Sequence, residues 1–246
     1  VMSEDGYIIT NSHVIEGCGA VDVVLQDERV FQALLVGQDA QSDLAVLKIA
    51  CAGLMPAQFG DSTLLEVGDT VAAIGNPLGE ELRGTMTDGI ISAINRDVNV
   101  DGYTMVLLQT TAALNSGNSG GALVDAEGHL VGINTAIYSR SGGSMGIGFA
   151  IPMATAREVM EAIVRDGAVT RGWIGVEPQE LTPELAEHFG VPQASGVIVT
   201  GVLQDGPAAN AGIRPGDVIG RVEQTPIRDV AGLLAAVAAL KPGTPR

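Results

Sequence analysis

Short apolar segments recur along the first two thirds of the chain, each closed by a turn: Val21–Leu25, Ala33–Val36, Ala45–Ile49, Thr70–Ile74, Gly89–Ile94, Met105–Thr110, Ala122–Val124, Leu130–Asn134 and Gly148–Ala150. Their spacing and the turn residues between them predict short β-strands. No long helical pattern interrupts the series, so residues 1–152 are expected to form a barrel architecture. The 33 glycines among 246 residues suit the many tight turns such a fold needs. Hydrophobic residues make up 46% and aromatics only 3%, so the core has to be built from Val, Ile, Leu and Ala.

The period changes at residues 154–166. Ala156, Val159, Met160, Ile163 and Val164 recur at intervals of three and four, and Gly167 follows. This predicts an amphipathic helix with a glycine stop, and a domain boundary near Thr170. Residues 172–246 then read as a smaller unit. Its predicted strands are Trp173–Val176 and Gly196–Val202, with a short helix at 206–212 and a turn through Arg214-Pro215-Gly216-Asp217. A last helix at 230–240 has Asp229 as its N-cap, and Leu233, Leu234, Val237 and Leu240 share one of its faces.

The net charge of −16 argues against nucleic acid, whose phosphates demand a basic face. No apolar run approaches the ~20 residues of a membrane span, and no signal peptide is visible. Val1-Met2-Ser3 reads as the end of a strand already under way, and Lys241–Arg246 as a turn before further strands. The two cysteines, Cys18 and Cys51, do not by themselves establish a disulfide. No Cys/His cluster has metal-ligand spacing, so neither metal nor cofactor is expected.

Chemistry concentrates in Gly117-Asn118-Ser119-Gly120-Gly121. A serine among glycines offers a hydroxyl beside backbone N–H groups, as acyl transfer requires, although the same residues also make ordinary turns. The α/β-hydrolase elbow needs a helix after its serine. Here Ala122-Leu123-Val124, a polar turn and Leu130–Ile133 follow, which is strand, turn, strand. Of the three histidines, His188 lies in a predicted surface helix and His129 in a turn, leaving His13 as the candidate base. Asp43, at the mouth of an apolar strand, is the candidate orienting acid, with Asp39 its local competitor. The order His13, Asp43, Ser119 is the chymotrypsin order.

With these residues in place, the chain resembles the HtrA (Deg) family of serine proteases. The matching segments are Asp5–Val14, Ser42–Ile49, Ala73–Pro77, Gly89–Ala93, Gly117–Gly121 and Gly146–Pro152, in the family's order. Arg165–Gly175 is most similar to the DegS and AlgW type. The chain departs from the pattern at Ser12, Leu78, Thr111 and Ser116, none of which is a catalytic group.

The resemblance implies a mainly β molecule. Residues 1–169 would be a chymotrypsin-like double β-barrel lacking its N-terminal strand, and residues 170–246 a partial PDZ domain. It implies a peptide-regulated endopeptidase of the bacterial envelope, with a general quality-control protease or a non-catalytic PDZ scaffold as alternatives. Gly117, Asn118 and Ser119 would form the oxyanion hole. Leu114, Asn134, Thr135 and Ala136 would line the specificity pocket, taking small or aliphatic residues. Arg96, in a polar loop from Asn95 to Tyr103, would relay peptide binding. Arg171, Gly172, Trp173, Ile174, Gly175 and Val176 would hold a peptide carboxylate beside Leu233, Leu234 and Val237. The family also implies a homotrimer in the periplasm, the C-terminal peptide of a misfolded envelope protein as partner, and leaves open a membrane anchor outside these residues.

Overall fold

The computed structural model describes residues 1–77, 79–100, 103–137, 144–191 and 196–240. Leu78 lies outside them. The chain divides into two compact units, Val1–Val169 and Thr170–Arg246.

The first unit holds two antiparallel sheets. Strand β1 (Tyr7–Thr10) leads into a one-turn helix α1 (Ser12–Ile15), followed by β2 (Val21–Val24), β3 (Val30–Asp39) and β4 (Leu44–Lys48). These strands form a four-stranded sheet in the order β1-β4-β3-β2. Next come β5 (Thr70–Gly75), β6 (Thr85–Val100), β7 (Tyr103–Thr110), β8 (Ala122–Asp125), β9 (Leu130–Ile137) and β10 (Gly148–Pro152). They close into a barrel in the order β10-β7-β6-β5-β8-β9. Helix α2 (Met153–Asp166) packs against β3, β4, β9 and β10. Its buried stripe is Met153, Ala156, Val159 and Ile163, whereas Val164, expected on that face, is exposed. Gly167 ends the helix in the left-handed conformation, with its N–H on the Ile163 carbonyl. The core joining these elements is aliphatic: Leu44, Val46, Leu107, Ile133 and Ile151 meet the α2 stripe.

The expected loop from Asn95 to Tyr103 is largely strand. Pairing of β6 with β7 continues to Val100 opposite Tyr103. Val98 and Val100 pack on the core while Asn95, Asp97 and Asn99 face outward. The alternation is that of a half-buried strand, disguised by residues that strands generally disfavour. Asn95 adopts φ 52° at the register shift between Ala93 and Arg96, so a bulge bends the hairpin there.

In the second unit come β11 (Val176–Glu180), helix α3 (Pro183–His188), β12 (Val197–Val202), helix α4 (Pro207–Asn210), β13 (Val218–Ile219), β14 (Arg221–Val222), β15 (Thr225–Pro226) and helix α5 (Val230–Ala238). Strands β11, β12 and β13 form one sheet, and β14 pairs with β15. Asp229 caps α5 by accepting the Gly232 N–H at 2.7 Å. The expected opening strand at Trp173 begins only at Val176. The segment before it spends its carbonyls elsewhere: Ile174 accepts Ala208 N–H and Gly175 accepts Leu203 N–H.

Candidate active site

The site begins where β1 gives way to α1. Asn11 remains extended and Ser12 starts the helical turn, which places His13 at the sheet margin with its side chain 38% exposed. Asp43 reaches the same place from the turn before β4. Its backbone is left-handed, φ 52°, a conformation that Asp tolerates better than most residues but that costs on the order of 1 kcal/mol. Two donors fix that turn: the Asp43 carbonyl accepts Ser12 N–H at 3.1 Å and Asn11 Nδ2 at 2.9 Å.

The Asp43 carboxylate accepts His13 N–H at 3.0 Å and lies 2.9 and 2.8 Å from the ring Nδ1. Its Oδ2 also accepts the Thr135 hydroxyl at 2.5 Å. An ionised carboxylate can only accept, so the proton sits on Nδ1 and Nε2 keeps a lone pair for base catalysis. Asp39 accepts both Ser42 N–H and Ser42 Oγ, holding the turn that delivers Asp43.

Burial of Asp43 works against its charge. The hydrogen bonds from the His13 ring, the Thr135 hydroxyl and His13 N–H, with the charge of His13, outweigh it and hold the carboxyl below the usual carboxylate range. A depressed folded-state value means that Asp43 stabilises the fold above the ordinary unfolded value of about 4, and that this contribution disappears as pH falls through the folded value. Thermal unfolding followed from pH 6 downward should therefore show wild-type protein losing more stability below about pH 4 than Asp43→Asn. Parallel curves would contradict the assignment.

Ser119 sits in a turn pinned on every side. Asn118 N–H donates to Asn115 O, Gly121 N–H to Asn118 O, Gly120 N–H to Asn134 O, and Asn76 N–H to Gly117 O. Gly117 has φ 100° and Gly120 has φ 78°. A Cβ on Gly120 would lie 2.3 Å from Thr10 Oγ1 and 3.2 Å from Asn11 N, so the serine turn rests on the strand that supplies His13. Ser119 Oγ donates to the Thr135 carbonyl at 3.2 Å. Among the described residues, neither Gly117 N–H nor Ser119 N–H has an acceptor. With the Gly117 carbonyl turned to Asn76, these two N–H groups are available for an oxyanion.

Several expected roles change. Asn118 donates its N–H to Asn115 and is buried, so it is not an oxyanion donor. Thr135 turns its hydroxyl to Asp43, so that hydroxyl is engaged with the carboxylate and not with a pocket. Asn134 is buried and its amide donates to Ile74 O and Ala122 O, tying β9 to β5 and β8. Leu114 is buried, and a Cβ on Gly148 would come within 2.7 Å of it. The side chain of Ala136 lies outside the described set. Arg96 lies on β6, with Nε on Gln109 Oε1 at 3.3 Å. Among the described residues, two cavities border these side chains. One of about 470 Å³ reaches Ser119 from Ile8, Ile9, Ile15, Leu47 and Gly75. Another of about 250 Å³ meets His13 and Asp43 from Glu16, Val100, Tyr103 and Met105.

Away from the triad, Cys18 and Cys51 are free thiols. The turn between β8 and β9 gathers Asp125, Glu127 and His129, with potential ligand atoms within 4.8 Å of one another. A reading that looked only for Cys and His passed over this group.

In the second unit, Leu233 and Val237 are core residues packed with Val197 and Ile227, so neither lines a groove. Helical period alone could not separate the core stripe from its margin. Trp173 is 61% exposed and Leu234 52%. Gly172 donates its N–H to Ala238 O, but the N–H groups of Trp173, Ile174 and Gly175 find no acceptor among the described residues. Ile174 packs on the same core, and Val176 pairs with Val202.

Comparison with known proteins agrees with this arrangement. Residues 1–133 match the trypsin-like peptidase domain and residues 172–245 the PDZ domain. The chain is 46% identical over 245 residues to a protein of Brucella suis named "Probable periplasmic serine endoprotease DegP-like", covering 99% of this chain but 47% of that one. It thus spans about half the length of the curated relatives it matches. A structure of the HtrA-type protease AlgW with a tripeptide superposes with a TM-score of 0.93 at 49% identity, covering 99% of this chain and 80% of that one. A serine endoprotease structure from Yersinia pestis gives 0.81 at 43% identity, covering 99% and 79%. The chain belongs to the HtrA-type family of trypsin-like serine proteases that carry a PDZ domain.

Proposed function

We propose that the chain is the catalytic and peptide-sensing portion of a periplasmic serine endopeptidase. The observation that carries this reading is the Asp43 carboxylate bound to His13 Nδ1, close to a serine turn with two unengaged N–H groups. Ser119 Oγ attacks the peptide carbonyl once its proton points at His13 Nε2 instead of the Thr135 carbonyl. His13 takes that proton and returns it to the leaving amine. Asp43 keeps the ring in its productive tautomer and stabilises its charged form. Gly117 and Ser119 N–H hold the oxyanion. Buried Leu114, packed beside Gly148, brings no charge near the serine turn, which supports a preference for small or aliphatic side chains before the cut.

The second unit captures a peptide C-terminus. The N–H groups of Trp173, Ile174 and Gly175, which have no acceptor among the described residues, and the exposed Trp173 and Leu234 side chains support that role, since carboxylate capture uses backbone donors. Bound peptide then favours the competent serine turn, with Arg96 in the relay, which requires different contacts in the two states. The AlgW structures contain a decapeptide and a tripeptide, which supports peptide binding; regulated cleavage in envelope stress, by a homotrimer, is the physiological reading we favour. The DegP-like names of the sequence relatives favour a second reading, general quality control of unfolded proteins.

A fluorophosphonate probe tests the core claim. Wild-type protein should be labelled at Ser119, faster when a peptide with an apolar C-terminus is present, and Ser119→Ala should not be labelled. Absence of label with saturating peptide would remove the enzyme reading. Turnover of an unfolded protein against that of a membrane-protein segment separates the two physiological readings.

A further inference from the structure

Asn11 is wholly buried, yet it belongs to none of the groups that react. Its Nδ2 donates to the Asp43 carbonyl at 2.9 Å, and its Oδ1 has no partner among the described residues. The orientation is not ambiguous, because only the amide nitrogen can meet a carbonyl oxygen. Leaving a buried acceptor unmatched is unfavourable, and most buried polar atoms avoid it. The residue it holds is itself in a sparsely populated backbone region, φ 52°, and such conformations persist only where the surroundings fix them. The same stretch of chain touches the nucleophile turn, since a Cβ on Gly120 would lie 3.2 Å from Asn11 N. Asn11 thus stands between the acid and the nucleophile, with its one side-chain hydrogen bond spent on the acid's backbone.

We propose that Asn11 is a positioning residue whose amide locks the left-handed turn at Asp43 and so sets the aim of the carboxylate at His13. This inference rests on the proteolytic reading above. If the clamp is removed, Ser12 N–H alone holds the Asp43 carbonyl, and the carboxylate swings relative to Nδ1. Small displacements of catalytic groups lower rate steeply without a matching loss of substrate binding.

Asn11→Leu tests this with a side chain of the same branched shape, though a larger one. It removes the donor and the unmatched oxygen together, so the fold should survive. The expected result is a kcat lower by roughly 10- to 100-fold with KM nearly unchanged. The low-field proton resonance of the His13 Nδ1–H···Asp43 bond should shift or broaden. Asn11→Ser is measured beside it, in case the larger side chain does not fold. Ser62→Ala serves as control, because it removes a part-buried hydrogen bond that Ser62 Oγ accepts from Ala154 N–H, far from the reacting groups in sequence and role. It should lower the unfolding temperature but leave kcat and the resonance in place. Active wild-type protein with an Asn11 variant retaining kcat within about threefold and an unmoved resonance would overturn the proposal. So would a Ser62→Ala variant equally impaired, because the effect would then be general destabilisation. Inactive wild-type protein that no probe labels would instead overturn the proteolytic reading.

Discussion

Ser119→Ala should lower kcat on a fluorogenic peptide by about 10⁶-fold, the scale seen when a triad nucleophile is deleted. The fold should scarcely notice. The hydroxyl makes one described hydrogen bond, to the Thr135 carbonyl at 3.2 Å, and the turn around it is held by backbone groups that alanine leaves intact. An unfolding temperature within about 4 °C of wild type is therefore expected, since one ordinary hydrogen bond is worth about 1 kcal/mol. Residual cleavage above about 10⁻³ of wild type would point to a different nucleophile.

Asp43→Asn should reduce kcat by about 10⁴-fold. The introduced amide presents a donor where the carboxylate only accepted, so His13 Nδ1 must give up its proton and Nε2 becomes the protonated nitrogen. The base is then blocked at the nitrogen proposed to take the serine proton. Asparagine also tolerates a left-handed backbone, so this substitution alters the chemistry while sparing the turn at φ 52°. Asp43→Ala adds backbone strain to the chemical loss and should fall further in unfolding temperature. An Asp43→Asn enzyme within tenfold of wild type would mean that the carboxylate does not set the tautomer.

His13, Asp43 and Ser119 could be picked out as candidates because each stands at a junction that sequence marks. His13 follows an apolar strand, Asp43 precedes one, and Ser119 lies among glycines required by positive φ and close approach. The barrel was likewise legible in its repeated strands and turns. What failed was direction. A stretch such as Asn134-Thr135-Ala136 shows which residues neighbour the serine, but not that Thr135 turns its hydroxyl to an acid 92 residues away. Asn118 looked like a donor because it sits between two donors, and only the backbone bond to Asn115 removes it. Leu233 and Val237 share a helical face with Leu234, yet burial splits that face into core and margin. The far end of β6 was mistaken for a loop because Asn95, Asp97 and Asn99 occupy its outward positions, while Val98 and Val100 carry the packing.

The Thr135–Asp43 hydrogen bond ties the closed barrel to the four-stranded sheet, and α2, made last in this unit, braces both. His13 and Asp43, 30 residues apart, meet through the pairing of β1 with β4. Ser119 and Thr135 join them only after contacts spanning most of the unit have formed, and such distant pairings are slow to form. On the proteolytic reading, a copy in which those distant strands have not yet paired has no assembled site, so cutting ability arrives together with the finished fold.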